Sequence, residues 1–301
     1  MEKAISLDKR CKDYVVSMGI VPLIRNRFGV DLDRFTASKV RDIELEFADE
    51  LRSVLAKEKQ CYDYHVLDDK EIVTGIQKTV AMTKNPLVVY DDVYGIKGDL
   101  EISSTRLTDP DSFETVIGER PGAATIETQR QMLADMFAGK TIDVYDIGVF
   151  SGETLLEEVQ ETYPKYGIDV ENIFLGIANK DVVKKFSDIA NVCVLNDFVF
   201  GEWLEIRDPL FLDGRKVYRN GNLSHIPKET QLIIPYSENA SWSSISEENM
   251  ERYNGLCSKY HGKLKCILKE AGLDLIKNEV YKSKTGTSVY EVGVKYLSRR
   301  A

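Results

Sequence analysis

The possible folds of this chain are limited above all by a buried strand that breaks into a short turn and then opens a helix. In Thr141–Leu156 (TIDVYDIGVFSGETLL), residues 142–145 supply the strand, Asp146 lies at its carboxyl end, and a Ser-Gly turn precedes the helix. Such a turn collects backbone N–H groups and hydroxyls at a helix N-terminus, where the helix dipole favours an anion. The segment therefore predicts an anion site, which phosphate fits best, at the edge where open α/β sheets bind ligands.

Charge and hydropathy argue against several classes of protein. The 301 residues carry a net charge of −9, whereas non-specific binders of nucleic acid or anionic membranes need a basic field. No apolar run approaches the roughly 18–20 residues of a membrane span, and the N-terminus has no apolar signal core. The five cysteines form no CxxC pair, which predicts reduced thiols in a cytoplasmic protein. The expected partner is a small phosphorylated molecule held in a local basic pocket.

The pattern of helices and strands divides the chain into three regions. Residues 1–85 are predicted to be mainly helical, with an amphipathic helix over 37–57 and a second helix capped by Asp68 and Asp69. Residues 86–225 alternate strands with helices, which indicates an α/β core with a mostly parallel sheet flanked by helices.

Residues 226–301 are predicted to form a small α/β cap or extension. They combine a strand (Leu232–Tyr236), a long helix (Glu247–Ala271) and two short strands near 276–281 and 289–296. The apolar stripe of the long helix fits internal packing and a homodimer interface equally well, so the sequence leaves the oligomeric state open.

The turn residues suit a phosphate, although an ordinary capped helix also explains them. Gly152 would let the backbone approach a phosphate closely, and the hydroxyls of Ser151 and Thr154 could donate to its oxygens. Glu153 is adverse to an anion and should face solvent if one binds. In the alternative reading, Ser151 caps a helix that follows a strand, and the acidic residues complement its dipole.

The same segment resembles the ribose-phosphate signature of the type I phosphoribosyltransferases. In that signature a strand ends in two adjacent acids and is followed by a turn such as T-T-G-x-T. The matching positions here are Asp146, Ser151, Gly152, Thr154 and Leu155. Two positions depart from the pattern: Ile147 replaces the second acid, and Phe150 stands where the 6-oxopurine members place an Asp near the purine ring.

Downstream features follow in the order that the resemblance implies. Lys180 ends the next strand, as the purine-salvage members place a lysine for the exocyclic oxygen of the base. In the segment D197-F-V-F-G-E-W-L-E205, Phe198 would pack on a base, Trp203 is a second stacking candidate, and Glu205 would stand near Mg²⁺. A solvated lysine and a plain edge strand remain the alternatives.

Upstream, two arginines are candidates for the pyrophosphate. Arg106 follows two serines and a threonine, and such hydroxyls with one guanidinium suit a diphosphate. Arg120 lies between Gly118 and Gly122, as a closing lid would require. Ordinary turns explain both equally well.

The resemblance implies a Mg²⁺-dependent transfer of ribose 5-phosphate between phosphoribosyl diphosphate and a nitrogenous base. Asp146 would orient the ribose and share the Mg²⁺, residues 151–155 would hold the 5-phosphate, and the arginines would stabilise the departing pyrophosphate. The departures at Ile147 and Phe150 leave open a module that binds the nucleotide without catalysis. A third reading, from the similarity of Asp146-Ile147-Gly148 to the actin-like ATPases, lacks their second Asp-x-Gly turn.

Overall fold

The computed structural model describes residues 11–90, 93–211, 215–218, 230–235 and 243–297, which form three β-sheets and the helices around them. The strands are β1 (Lys12–Ser17), β2 (Tyr62–Leu67), β3 (Leu87–Val89), β4 (Leu100–Glu101), β5 (Ser104–Thr108), β6 (Thr115–Glu119), β7 (Thr141–Val149), β8 (Asp169–Asn179), β9 (Asn191–Phe198), β10 (Phe200–Glu205), β11 (Arg215–Val217), β12 (Thr230–Ile234), β13 (Leu273–Lys282) and β14 (Ser288–Tyr296). The helices are α1 (Ile20–Phe28), α2 (Arg34–Leu55), α3 (Asp69–Val80), α4 (Ile126–Phe137), α5 (Glu153–Glu157), α6 (Tyr163–Lys165), α7 (Lys180–Ser187), α8 (Arg207–Phe211) and α9 (Glu247–Glu270), with a π-helical segment at Glu158–Thr162 joining α5 to α6.

A five-stranded sheet of parallel strands, in the order β4-β3-β7-β8-β9, forms the centre of the α/β region. Along β7, Ile142, Val144 and Val149 belong to the apolar cluster that also contains residues of α4 to α7. Tyr145 and Ile147 belong to a second cluster, shared with α2, α9 and the three-stranded sheet. β3 and most of β7 are buried on both faces and are largely apolar, as expected of inner parallel strands, whereas the edge strand β9 is partly exposed along its length. The predicted α/β fold with mostly parallel strands flanked by helices is confirmed at this level.

The strand order reverses between β3 and β7. From β3 the sheet grows outward to β4, and from β7 it grows in the other direction through β8 to β9. Connections therefore leave the carboxyl ends of β3 and β7 on opposite sides, which opens a crevice between them. Sheets of this kind bind their ligands in that crevice.

The N-terminal region contains two strands as well as helices. β1 pairs in parallel with β2 and with β10, so the first described strand lies beside the strand that follows β9. Tyr14, Val15 and Val16 are fully buried, because the three-stranded sheet is covered on both faces. The helical periodicity of residues 37–57 and the cap at Asp68 match α2 and α3, whereas β1 and β2 were not predicted.

Cys11 and Cys61 form a disulfide immediately before the paired strands β1 and β2, with Cα atoms 4.9 Å apart. The expectation of reduced thiols is therefore wrong for this pair, which removes that support for a cytoplasmic location. Parallel pairing of β1 with β2 brings the two cysteines together, and a spacing of 50 residues gives no sign of this in the sequence. Cys193, Cys257 and Cys266 are free thiols.

A mixed six-stranded sheet joins the C-terminal region to the middle of the chain, in the order β13-β14-β12-β11-β5-β6. The predicted C-terminal elements are present, with β12 ending at Ile234 and Tyr236 lying outside the described residues. The stripe of α9 is buried within the chain, at Tyr253, Cys257 and Leu264 among others, against α2 and β13. No helix in the described ranges is long and apolar enough to cross a membrane.

Candidate functional site

A cleft with a volume of about 560 Å³ opens at the crevice between β3 and β7. Its floor includes Tyr90 after β3 and residues 146–150 at the carboxyl end of β7. The β5–β6 hairpin forms one wall, while the end of β10 and the start of α8 form another. Each of the three sheets thus contributes residues to the cleft.

The turn after β7 enters α5 through Gly152, in a left-handed conformation (φ 72°, ψ 0°). Gly152, rather than Ser151, occupies the N-cap position and no side chain caps the helix, so the expected serine cap is wrong. The first helical bond runs from the N–H of Leu156 to the carbonyl of Gly152, which leaves the N–H groups of residues 153–155 without helical acceptors. Gly152, Glu153, Thr154 and Leu155 line the cleft, whereas Ser151 is not among its lining residues, and Glu153 is exposed.

The need for glycine at position 152 has a different cause from the one expected. A Cβ there would collide with the side chain of Val182 on α7 and approach the Phe186 ring. The positive φ adds strain for any other residue. Gly152 is therefore required by the turn and by packing against α7, whether or not a phosphate approaches.

The β5–β6 hairpin carries both candidate arginines to the cleft. Arg106 on β5 is exposed, and its Nη2 donates a hydrogen bond of 3.2 Å to Oγ of Ser151. Arg120 follows β6, and its backbone N–H bonds to the carbonyl of Ser103 across the hairpin. Both arginines thus line the cleft together with the turn, as does Arg207. They counter the negative charge that the acidic residues of the cleft bring.

Asp146 and Ile147 both belong to the cleft floor but differ in burial. Asp146 is half-buried in the cleft, and its Oδ1 accepts a bond of 3.3 Å from the N–H of Gly148. Ile147 is only 9% exposed and packs in the larger apolar cluster. An acid at position 147 would lose its hydration in that cluster, so the missing second acid follows from the packing here. Phe150, 40% exposed, lines the cleft.

Trp203 lies against the backbone of β7 at Gly148. A Cβ at Gly148 would overlap the indole ring, so only glycine permits this approach. The indole N–H donates a bond of 2.9 Å to Oγ of Ser17 on β1, which fixes the ring. Trp203 thereby offers an anchored aromatic surface to the cleft.

Glu205 forms an ion pair with a neighbouring arginine. Nη2 and Nε of Arg207 donate to its two carboxylate oxygens at 2.7 and 3.1 Å, and both residues line the cleft. Within the described ranges, no group of three or more acidic, histidine or cysteine side chains could hold a metal ion. Mg²⁺ needs only one or two carboxylates when substrate phosphates and water complete its shell, and Asp146 and Glu205 both line the cleft.

Tyr90 belongs to a hydrogen-bonded group beneath the cleft. Its hydroxyl lies 2.6 Å from that of Tyr163, at the end of the π-helical segment. Nε of Arg130 bonds to the buried carboxylate of Glu158 in the same segment at 3.1 Å. Burial raises the pKa of Tyr90 well above its usual value, so the phenol stays neutral. π-Helical turns occur often at functional sites, and this one supports the cleft floor.

Glu202 is a cleft residue that the sequence did not single out. Burial raises the pKa of its carboxyl from 4.5 to about 7, partly opposed by a hydrogen bond from Ser244 and by the backbone N–H of Trp203. In the sequence, only the neighbouring Trp203 pointed to this position, because the raised pKa of Glu202 comes from burial and from contacts with segments far along the chain. Asp208 and Tyr90 were likewise missed.

Lys180 and Phe198 lie apart from the residues that line the cleft. Lys180 begins α7, and its Nζ lies 3.9 Å from the carboxylate of Asp197. The ring of Phe198 contacts that of His65, with centroids 5.0 Å apart. Lys180 directly follows β8, and Phe198 ends β9, one and two strands beyond β7 on the side away from β3.

Comparisons with known proteins supply no family for this chain. No family model matches it, and no curated protein matches it. Among solved structures, the crystal structure of TT1426 from Thermus thermophilus is similar over 43% of this chain and 82% of its own, with 15% identity and a TM-score of 0.26. A likeness at that TM-score carries no argument about fold or function.

Proposed function

We propose that this protein is a phosphoribosyltransferase-like enzyme, which transfers ribose 5-phosphate between phosphoribosyl diphosphate and a nitrogenous base. The observation that carries the proposal is the convergence of turn residues 152–155, Asp146, Arg106 and Arg120 on one cleft at the strand reversal, with Ser151 joined to it by its bond from Arg106. These groups have the charge and hydrogen-bonding capacity that a phosphorylated sugar diphosphate requires.

The turn would hold the 5-phosphate of the sugar. The backbone N–H groups of residues 153–155 have no helical acceptors, and Thr154 adds a hydroxyl on the cleft side. Ser151 is already oriented by Arg106, whose guanidinium contributes a positive charge at the same place. Donors arranged in this way need little reorganisation when the phosphate arrives.

Arg106 and Arg120 would neutralise the pyrophosphate as it leaves. The bond between C1 of the ribose and the diphosphate oxygen breaks, and the leaving group takes the electron pair. Guanidinium groups favour this step because they bind the charge that develops on phosphate oxygens. Mg²⁺ would supply further charge neutralisation on the diphosphate when held by Asp146 and Glu205.

The acceptor base would lie on Trp203. The indole ring is fixed by Ser17 and by its approach to Gly148, so stacking costs little conformational entropy. Phe150, whose side chain is partly exposed in the same cleft, would contact the opposite face of the base. Lys180 and Phe198 are not among the residues that line the cleft, so this proposal gives the base to Trp203 first.

A second candidate function is a module that binds a phosphoribosyl ligand or nucleotide without catalysis. The specific observation in its favour is the buried Ile147, which leaves the ribose with one acid, Asp146, at this strand. Pairing of Glu205 with Arg207 also lowers the carboxylate charge available to a metal ion.

Pyrophosphate release from phosphoribosyl diphosphate and Mg²⁺, measured with a panel of purine and pyrimidine bases, separates the two functions. The enzyme requires release with at least one base. Retained ligand-induced thermal stabilisation without release would favour the module. If the protein shows neither pyrophosphate release nor ligand-induced stabilisation, both functions are contradicted.

Binding titrations of variants test the site itself. Arg106→Gln should weaken the binding of phosphoribosyl diphosphate by about 1.5–3 kcal/mol, because charge-assisted hydrogen bonds to phosphate are lost. Thr154→Val should weaken this binding by about 1–2 kcal/mol. Arg252→Gln, an exposed arginine on α9 outside the cleft, is the matched control and should bind like the wild type. Unchanged affinity in both cleft variants would remove the phosphate assignment.

A further inference from the structure

Strand β6 is an edge of the six-stranded sheet, and in the described part of the chain no strand lies beside its outer side. The sheet ends at β6 on one side and at β13 on the other. Within β6, Val116 and Ile117 are 43% and 41% exposed, and as neighbours on a strand they face opposite sides of the sheet. Exposed apolar residues on an unpaired edge mark a surface that another strand can cover.

The outer side of β6 presents backbone hydrogen-bonding groups at every second residue. The N–H of Arg120 bonds to the carbonyl of Ser103, and the carbonyl of Glu114 accepts from the N–H of Asp109. In an antiparallel pair, residues bonded in this way alternate with residues whose N–H and C=O groups point away from the partner strand. The backbone groups of the even-numbered residues of β6 therefore face β5, and those of residues 115, 117 and 119 face outward.

The opposite edge of the sheet, β13, has protection that β6 lacks. A bulge interrupts the pairing of β13 with β14 at Val280, and two lysines, Lys277 and Lys282, lie on the same strand. Bulges and edge lysines are devices that keep an edge strand from pairing with another chain. β6 keeps a continuous register against β5 and contains neither lysine nor proline.

The sequence of β6 is complementary to itself when two copies run antiparallel and meet at Ile117. In this register Thr115 lies opposite Glu119, and Val116 lies opposite Gly118. A hydroxyl then meets a carboxylate, a branched side chain meets a residue that has none, and no like charges oppose each other. A register centred on Glu119 would set two carboxylates together, and one centred on Gly118 would set Ile117 against Glu119.

We propose that β6 pairs with β6 of a second copy of this chain, across a twofold axis at Ile117. The two six-stranded sheets would then continue into one, through an interface in which both copies use the same surface. Residue 117 would bond to residue 117 of the second copy, and residue 115 to residue 119, so every outward backbone group of the strand finds a partner. Ile117 lines the cleft, so the second copy lies along one wall of each cleft. The pairing is independent of the ligand that the cleft binds.

Sedimentation velocity of the full chain, over a range of concentrations, tests this pairing. The wild type should form a dimer of twice the chain mass of 34.2 kDa and dissociate on dilution. Ile117→Lys should be monomeric at the same concentrations, because two ammonium groups would meet at the axis. Val280→Lys, at an equally exposed position on β13, is the matched control and should stay dimeric. Circular dichroism and the urea midpoint of each variant verify that it is folded.

Ile117→Cys tests the register. Opposite residues of a hydrogen-bonded antiparallel pair have Cα atoms about 5.5 Å apart, so a short bis-maleimide should link two chains of this variant. The wild type, which has the same free thiols at Cys193, Cys257 and Cys266, is the control and should stay unlinked. A wild type that is monomeric at every concentration overturns the inference, as does a dimer that survives in Ile117→Lys. Failure of Ile117→Cys to cross-link, or a monomeric Val280→Lys, also counts against it.

Discussion

The buried carboxyl of Glu44 should make the protein less stable as the pH rises from about 4.5 to about 8. Glu44 lies on α2 with no exposed surface, and its Oε1 accepts bonds from the N–H groups of Gly19 (2.8 Å) and Ile20 (3.1 Å) at the start of α1. Its Oε2 has no hydrogen-bond partner among the described residues. Burial raises the pKa of Glu44 to about 8, which outweighs the two N–H groups that favour the charged form.

The magnitude follows from proton linkage. The unfolded chain releases the Glu44 proton near pH 4.5, whereas the folded protein holds it until about pH 8. Between these values folding takes up a proton, so each pH unit lowers the free energy of unfolding by about 1.36 kcal/mol. The whole window amounts to about 5 kcal/mol. Below it both states are protonated, and above it both are ionised, so the dependence stops at each end.

Urea unfolding of the wild type and Glu44→Gln, at pH values from about 4 to about 9, measures this effect. The amide cannot ionise but keeps an oxygen for Gly19 and Ile20. The difference in unfolding free energy between the two proteins should therefore move by several kcal/mol in favour of the variant as the pH rises. Asp49→Asn, an exposed carboxylate on the same helix, should track the wild type. Parallel curves for wild type and Glu44→Gln would show that folding does not raise the pKa of Glu44.

Three further substitutions test other parts of the fold. Gly148→Ala should displace the Trp203 ring, because a Cβ would overlap it; unaltered tryptophan fluorescence would contradict this packing. Gly152→Ala should lower the free energy of unfolding by at least about 1–2 kcal/mol, the cost of a positive φ, and a wild-type urea midpoint would count against it. Cys61→Ser should lower the free energy of unfolding by about 4 kcal/mol, as expected for a disulfide spanning 50 residues. The reduced wild type should have the same free energy of unfolding as this variant.

Elements governed by local interactions could be predicted from the sequence. The helix expected over 37–57 is α2, at Arg34–Leu55, and Asp68 accepts bonds from the N–H groups of Lys70 and Glu71 as a helix cap. A helical apolar stripe and a capping side chain act over a few residues, so they are visible in any sequence window.

The N-terminal strands depend on partners far along the chain. β1 is short and lies beside β10, whose pairing residues follow only after most of the α/β region. Its apolar run, Tyr14-Val15-Val16, has no periodicity that separates a buried strand from a helix turn. Only the assembled sheet, covered on both faces, makes the extended conformation the one that buries these residues.

The strand, turn and helix over 141–165, and the alternation of elements around them, are specified by local sequence, because propensity and apolar period are properties of neighbouring residues. Which residues line the cleft depends instead on how the sheets and helices pack. Packing brings Arg106 to Ser151 and Trp203 to Gly148, and it leaves Lys180 outside. It also sets the ionisation of Glu202, since burial and the contact with Ser244 come from segments that meet only when the sheets pack together.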